Sequence, residues 1–436
     1  MVGTRHAHNH GIGKLDRLYL GILLVIFGGI VLQAPISVGL GTLFPHESLI
    51  IKAWAEIMMG IASVLAVMLL IRQHKTALLK EPLIVGIGIY GLIYIATLLI
   101  FRLNDTALAA GFVIDLRYML FFVLVFIAMR LYPDSRIQFI KIGAIGGLVV
   151  MIFALLQVFI LPDDILKWIG YNSGTIAPYL TVDQNHAFIR INSTLRGPNP
   201  LGAYAGIMLA LVVAFLALGR RKIFTRPVLP VAILLIGSAV ALWASYSRSA
   251  FVGAIIAIGV VLGAVIHNKL SRKGWIIGAI IMVIGLGVIA MTGHTSFFSN
   301  VFLHENPNSG SSSNSNQGHL SSLQNGLDQF LIEPFGAGVG STGSASFSTN
   351  TPHIIENQYL FIAHEAGWLA LVLFIMIFIG VMARLWQWRR DWLALGVFAS
   401  GIGLAFIGLL LPVWVDDTVS IVWWGLAAIA IGGRHE

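Results

Sequence analysis

The chain has no cysteine and few charged residues. None of its 436 residues is a cysteine, which excludes disulfides, thiolate catalysis and cysteine-based metal sites. Only 11% of the residues are charged, whereas 57% are hydrophobic and the mean hydropathy is +0.87, far from the balance of a soluble domain. The composition therefore predicts an all-α polytopic membrane protein, folded as a single membrane domain over residues 1–436.

Long apolar runs divide the chain at short intervals. Runs of roughly 18 to 25 residues are typical of membrane-spanning helices. The first run, Leu18 to Leu32, is not followed by a small-residue cleavage site, so we expect it to remain as the first helix. The runs predict about twelve spans, over residues 18–38, 50–71, 83–101, 107–129, 139–161, 199–218, 227–245, 249–267, 274–292, 358–383, 392–412 and 418–433.

Positive charge concentrates on alternate loops. If the N-terminus is cytoplasmic, 20 of the 27 Lys and Arg residues lie on the inner side, and both termini are cytoplasmic. The net charge of +8 is then a topology signal, and nucleic-acid binding is not needed to explain it. Topology does not account for the other seven cations, which are Lys52, Arg102, Arg117, Lys167, Arg190, Arg196 and Arg248.

Two segments predicted to lie outside the membrane are long, residues 162–198 and residues 293–357, the second between the ninth and tenth helices. Residues 306–318 (NPNSGSSSNSNQG) are too polar to bury a core, so we expect a flexible tract there. Apolar residues then recur at helical spacing and predict an amphipathic helix at the membrane surface: Leu320, Leu323, Leu327, Phe330 and Leu331.

An arginine precedes the sixth predicted helix in the stretch NSTLRGPNPLG, residues 192–202. Asn199 is predicted to cap this helix and Pro200 to take its first position, with the helix start at the outer face. The positive helix end and the Arg196 guanidinium would together bind an anion such as phosphate, and Arg190 on the same loop would join them. The alternative is that Arg196 only anchors the loop at the level of the lipid headgroups.

The stretch WASYSRSAFVG, residues 243–253, repeats this arrangement. The seventh helix ends and the eighth begins with almost no loop, so Arg248 also lies at an outward helix start, flanked by serines. An interfacial anchor with serine caps is again the alternative. Two outward helix starts that each carry an arginine favour an anion-binding site.

Two ionisable residues of the fourth span lie where hydrocarbon is expected. Asp115 and Arg117 are costly at that depth and need partners. Because residues i and i+2 do not share a helix face, we expect each to pair with another helix, as a structural ion pair or as intramembrane support for a substrate site. Lys52 and Glu56 on the second helix are spaced i and i+4, which predicts a local pair.

Glycines and polar residues precede and open the tenth helix. Residues 333–344 (EPFGAGVGSTGS) lack the glycine order of a nucleotide-binding loop, and they predict a flexible turn whose backbone approaches a substrate, or plain loop flexibility. The spacing of the polar residues matches no metal site. One of them could act as a general base, or all could form a polar rim: His353, Glu356, His364 and Glu365.

Four stretches in order resemble the motifs of the O-antigen ligase and O-antigen polymerase superfamily of bacterial membrane glycosyltransferases. They are STLRGPNPLGAYAGIMLAL, SYSRSAFVGAIIA, LIEPFGAGVGS and ENQYLFIAHEAGWLALVL, between about residues 190 and 375. The twelve-helix plan with a large extracytoplasmic loop before the tenth helix extends the resemblance over the chain.

The resemblance implies a fold similar to that of other metal-independent, lipid-linked (GT-C-like) glycosyltransferases. It implies transfer of a glycan from a polyprenyl diphosphate carrier, such as undecaprenyl diphosphate, to a saccharide or lipid-glycan acceptor at the outer face of the cytoplasmic membrane. Arg196 and Arg248 would hold the diphosphate. The reaction would use no cofactor and no metal and would proceed with inversion.

This chain departs from the ligase pattern at one place. Ligases of the superfamily typically show a His-Asn pair at the start of the tenth helix, where this chain has Glu356 and Asn357. Glu356, or His353 three residues earlier, would then act as the base, and both ligase and polymerase activity stay open. A transporter of polysaccharide or lipid-linked glycan is the alternative, although the unexplained cations cluster at outer helix ends. A non-catalytic scaffold is another, and it would tolerate loss of both arginines.

Overall fold

A computed structural model describes residues 13–101, 104–182, 185–219, 228–266, 315–349 and 352–433. Within these ranges eight helices are long and apolar enough to cross a membrane, and three shorter helices are also apolar. The first half of the chain forms α1 (Lys14–Gly29), α2 (Gln33–Leu43), α3 (Ser48–Lys52), α4 (Trp54–Arg72), α5 (Pro82–Ile100), α6 (Asp105–Leu131) and α7 (Arg136–Phe159).

The second half begins with a β-hairpin, β1 (Leu180–Val182) and β2 (Asn185–Arg190). The helices that follow are α8 (Pro198–Leu218), α9 (Val228–Ala244), α10 (Arg248–Ile266), α11 (Ser315–Ile332), α12 (Gly343–Ser346), α13 (Gln358–Gln387), α14 (Trp392–Gly408) and α15 (Asp417–Gly432).

Most of the predicted spans coincide with helices. Eleven of the twelve fall on described helices, with α1 and α2 joined into the span Lys14–Leu43. The predicted ninth span, residues 274–292, lies outside the described residues, so the count of twelve and the position of the large loop stay predictions. The finding is a mostly helical, multi-pass membrane protein.

Two expectations about the outer segments need correction. The hairpin in residues 162–198 departs from an all-α fold: its strands are antiparallel, with Leu180 opposite Arg190, because this stretch leaves the helix bundle and pairs its own backbone. Residues 315–318 of the tract predicted to be flexible begin α11, and residues 306–314 lie outside the described residues. The helical repeat predicted over residues 320–331 is confirmed by α11.

The short helix α15 lies at the centre of the bundle. Its residues from Thr418 to Gly432 are all buried, and it packs mainly on α6. Beside it, α14 packs against α8 and α10. Aromatic rings close the centre, with Trp414, Trp423 and Trp424 in mutual contact. Burial on every side explains why α15 is apolar around its whole circumference.

Candidate functional site

The starts of α8 and α10, which are predicted to face outward, lie against each other. A Cβ atom added to Gly202, in the second turn of α8, would lie 2.8 Å from the Cβ of Ala250 and 2.8 Å from the Oγ of Ser245. Only a residue without a side chain allows so close an approach. Arg196 and Arg248, which lie at these two helix starts, therefore share one region with Arg190; we call these three residues the arginine cluster.

Arg190 is bound to its own scaffold. Its Nε donates to the carbonyl of Ser245 at 2.8 Å, and its Nη2 donates to the Oδ1 of Asn199 at 2.7 Å. The predicted cap is therefore wrong: α8 begins at Pro198 after Gly197, and the Asn199 side chain accepts from Arg190 instead of capping the helix. Pro198, and not Pro200, takes the first position. Arg190 thus ties β2 to the ends of α8 and α9.

The loop before α8 is fixed by buried polar contacts. The backbone N–H of Ser193 donates to Gln157 of α7 at 2.7 Å, and its hydroxyl donates to the carbonyl of Val150 at 2.7 Å. Ser193 has φ 49°, and Tyr246, in the turn between α9 and α10, has φ 47°. Left-handed backbone at non-glycine residues is costly and persists where surrounding contacts enforce it, often at functional sites. The loop that carries Arg196 and the turn before Arg248 each contain one such residue.

Arg196 projects from this fixed loop with a free side chain. It is exposed, and its guanidinium makes no hydrogen bond to any other residue in the part of the chain that the structure describes. Arg248 is half-buried at the first position of α10. Because Pro198 and Pro200 remove two backbone N–H groups from the first turn of α8, anion binding at that helix start depends chiefly on the Arg196 guanidinium.

The segment between α14 and α15 connects the arginine cluster to the start of α13. The N–H of Trp414 donates to Gln358 at 2.8 Å. Asp416 lies close enough to Arg196 for their charges to interact. Burial raises the pKa of Asp416 to about 7, and the charge of Asp417 adds to the rise. No sequence pattern pointed to Asp416, because an acidic residue before a helix is typical of an ordinary helix cap.

The two intramembrane charges of α6 pair with other elements, as predicted. Arg117 donates from Nη2 to the carbonyl of Val415 at 2.7 Å, and its Nη1 lies 3.4 Å from the Oε1 of Glu56 on α4. The predicted local pair of Glu56 with Lys52 is wrong, since the helix is interrupted at Ala53 and Glu56 faces Arg117. Arg117 therefore supports the segment that carries Asp416.

The helix α13 is broken near its outer end. Gly367 has φ 81° and ψ 177°, which interrupts the helical hydrogen bonds. The freed groups bind the glycine-rich segment: the N–H of Ala337 donates to the carbonyl of His364 at 2.6 Å, and the N–H of Trp368 donates to the carbonyl of Pro334 at 3.0 Å. We call residues 333–343 with residues 364–368 the break region.

The glycine-rich segment is packed into the protein, contrary to the expected flexible turn. Gly340 has φ 82°, and a Cβ atom there would lie 2.2 Å from the carbonyl oxygen of Ala107 on α6. Its N–H donates to the Oε1 of Glu365 at 3.0 Å. The backbone of this segment thus approaches α6 and α13.

The four candidate bases have different surroundings. Glu356 is partly exposed before α13, and its backbone N–H donates to the Ser322 hydroxyl of α11 at 3.0 Å. The Nε2 of His353 lies 3.0 Å from the Oε1 of Gln329. His364 is buried, with Nδ1 2.9 Å from Glu333. Glu365 is buried completely, so the structure does not place it on the predicted rim.

An apolar cavity lies away from these groups. Its volume is about 560 Å³, and it is lined by Ile140 and Lys141 of α7, Phe215 of α8, Leu234 of α9 and Trp392, among others. These residues belong to the predicted inner half of the bundle. The cavity is therefore separate from the arginine cluster.

Residues 232–375 match the family model described as O-antigen ligase. This segment, about a third of the chain, is similar to the O-antigen ligase family. The resemblance to the O-antigen ligase and polymerase superfamily is confirmed, and the match supports a glycan-transferring membrane enzyme with glycan and lipid-linked substrates. The O-antigen ligase match includes Arg248, the break region and the start of α13, while Arg196 lies outside it. No curated protein matches the chain significantly.

Proposed function

We propose that this protein transfers a glycan from a polyprenyl diphosphate carrier to a saccharide or lipid-glycan acceptor at the outer face of the cytoplasmic membrane. The observation that carries the proposal is the exposed Arg196 guanidinium, held on a rigid loop beside Arg248 and without a hydrogen-bonding partner among the described residues. A cation kept in place but left unbound is suited to a phosphate ligand.

The chemistry follows from where charge develops. An acceptor hydroxyl attacks the anomeric carbon, the bond from that carbon to the diphosphate oxygen breaks, and the electron pair leaves with the diphosphate. Arg196 and Arg248 stabilise the charge that grows on the phosphate oxygens, and their positions are set before reaction. One displacement inverts the anomeric centre. No metal and no cofactor enter this scheme.

A base must take the proton of the acceptor hydroxyl. Glu356 is the proposed base, because it lies partly exposed immediately before α13, where ligases of the superfamily have their histidine, whereas both His364 and Glu365 are buried. His353 is the second candidate. The segment from Trp414 to Asp416 links the start of α13 to the neighbourhood of Arg196, which supports a site shared by the proposed base and the diphosphate.

The test is glycan transfer by purified protein in nanodiscs, with a polyprenyl diphosphate oligosaccharide as donor and a chelator present. Arg196→Ala and Arg248→Ala are each expected to lower kcat/KM by about a hundredfold or more, the usual loss for a charge-stabilising donor. Arg389→Ala is the control, since Arg389 is exposed at the predicted inner side and stacks on Trp386.

The size of the product distinguishes a ligase from a polymerase, and a lack of activity distinguishes the alternatives to an enzyme. A single added unit would indicate a ligase, and a distribution of chain lengths a polymerase. If no donor is turned over while labelled glycan lipid crosses liposomes that contain the protein, the transporter replaces the enzyme. Unchanged biological function in both arginine variants would indicate a scaffold.

A further inference from the structure

Two acidic side chains meet inside the protein beside the break region. Asp115 of α6 is 5% exposed and Glu365 of α13 is 0% exposed, and the two side chains are close enough for their carboxyl groups to hydrogen-bond. The Oδ2 of Asp115 and the Oε2 of Glu365 are buried, and neither accepts a hydrogen bond from an N–H or hydroxyl group of the described residues. Each carboxyl thus has one buried oxygen that no N–H or hydroxyl group of the described residues satisfies, and the other carboxyl lies near enough to do so.

Two carboxylates cannot hydrogen-bond to each other unless a proton lies between them. The surrounding contacts indicate which residue carries it. The Oε1 of Glu365 accepts from the N–H groups of Gly340 at 3.0 Å and Thr342 at 3.4 Å, while the Arg117 charge acts on Asp115. A neutral Glu365 satisfies both of its oxygens, since one accepts from the backbone and the other donates its proton to the Asp115 carboxylate.

We propose that Asp115 and Glu365 share one proton, carried on Glu365, and act together as positioning residues for the base at the start of α13. The proposal rests on the proposed glycan transfer for its catalytic consequence. Glu365 is not the base in this scheme, because it is enclosed and its oxygens are already bound.

A continuous set of hydrogen bonds leads from the pair to the base. Glu365 holds the N–H of Thr342. The Thr342 hydroxyl donates to the carbonyl of His353 at 3.2 Å and accepts from the N–H of Ile355 at 3.2 Å. The N–H of Gly343 also donates to the His353 carbonyl, at 2.9 Å. The residues that flank Glu356 are therefore fixed through Thr342.

The decisive comparison is Glu365→Gln against Glu365→Leu. A glutamine amide donates to Asp115 and accepts from Gly340, as the neutral carboxylic acid does, so kcat should stay within about threefold of wild type. Leucine fills a similar volume and makes neither bond. It should lower kcat about a hundredfold while the donor KM changes little, because the base is displaced and the arginine cluster is not.

The pH profile separates positioning from base catalysis. Glu365→Gln should keep the pH dependence of kcat, whereas a base replaced by its amide loses the limb that reports its ionisation. If Glu365→Gln is as inactive as Glu365→Leu and the protein is folded, the side chain must ionise during the reaction and the proposal is wrong.

Two controls test the hydrogen bonds through Thr342 and the effect of a general loss of stability. Thr342→Val removes the hydroxyl that links the pair to His353 and should lower kcat, and Thr342→Ser should restore it. Glu81, which precedes α5, pairs with Arg384 at the opposite end of α13, so Glu81→Leu is a matched loss of a carboxyl that contacts the same helix. At an equal fall in Tm, Glu81→Leu should keep its kcat; a loss equal to that of Glu365→Leu would make the effect one of general stability.

Two measurements do not depend on turnover. The infrared spectrum of wild type should contain the C=O stretch of a buried protonated carboxyl that is missing in Glu365→Gln, and its absence from wild type would overturn the shared proton. Amide hydrogen exchange at Gly340 and Thr342 should be slow in wild type and in Glu365→Gln but faster in Glu365→Leu. Slow exchange in all three would overturn the positioning role. If wild type has no transfer activity, the proposed function is wrong. The infrared and exchange measurements would still show whether Asp115 and Glu365 share a proton and hold the glycine-rich segment.

Discussion

The arginine cluster and the break region treat their polar side chains in opposite ways. In the arginine cluster, buried neutral groups such as Ser193 hold the loop, and the Arg196 charge is left exposed. In the break region the ionisable side chain itself is enclosed, and Glu365 binds the backbone of the glycine-rich segment. The difference indicates that the first region is built to receive a ligand and the second to hold the chain in place.

The largest expected effect concerns the base between these regions. Glu356→Gln should lower kcat by about a hundredfold to ten-thousandfold, because it removes the group that takes the hydroxyl proton. His353→Gln, the matched change at the second candidate, should cost far less. The measurement is kcat for transfer at saturating donor and acceptor. The opposite order of the two variants would assign the base to His353.

A steric change should break the arginine cluster without touching an arginine. In Gly202→Ala the new methyl would meet Ala250 and Ser245 at 2.8 Å and push the starts of α8 and α10 apart. We expect a loss of about 1–3 kcal/mol in stability from overpacking and a higher donor KM. Gly60→Ala is the control, because no atom lies within 4 Å of a Cβ there. A normal donor KM in Gly202→Ala would show that Arg196 and Arg248 do not need to be held together to bind the donor.

Arg190 and Arg196 should differ although both belong to the arginine cluster. Arg190→Ala removes charged hydrogen bonds to Ser245 and Asn199, worth about 1.5–3 kcal/mol each, so thermal unfolding should occur at lower temperature. Arg196→Ala should leave the Tm nearly unchanged and lower kcat/KM for transfer by about a hundredfold or more. Equal stability of the two variants would show that Arg190 is not a support of the loop.

The smallest effect is expected at Asp416, as a dependence on pH. Its pKa is raised to about 7, so the carboxyl becomes charged as the pH rises from about 6 to about 8 and then competes with the diphosphate for Arg196. The donor KM should therefore rise a few-fold over this interval. Asp416→Asn keeps the cap on Val419 and should remove the change, whereas Asp417→Asn should not.

The stability of the folded protein should also fall as Asp416 becomes charged. A folded pKa above the ordinary aspartate value means that the folded state keeps its proton to higher pH than the unfolded state, so stability falls as the pH rises from about 4 to about 7. Asp416→Asn should thus unfold at a higher temperature than wild type at about pH 8. A Tm difference that does not vary with pH would contradict the raised pKa.

The amino-acid pattern was sufficient for the helices and for the residues at their outward starts. Apolar runs predicted eleven described helices because membrane hydrocarbon leaves helical hydrogen bonding as the usual solution for the backbone. It also predicted that Asp115 and Arg117 would bind other helices, since a charge at that depth requires a partner. It did not identify Glu56 as the partner of Arg117, because partner choice depends on which helices become neighbours.

By itself the sequence determined the membrane class, the helix starts beside Arg196 and Arg248, and the motifs of the superfamily, since these follow from local composition and order. Tertiary structure alone decided that Asn199 binds Arg190, that the glycine-rich segment fills the break at Gly367, and that Glu365 meets Asp115. Each of these contacts joins residues whose backbones approach only after packing, and buried polar groups take whichever partner that packing provides.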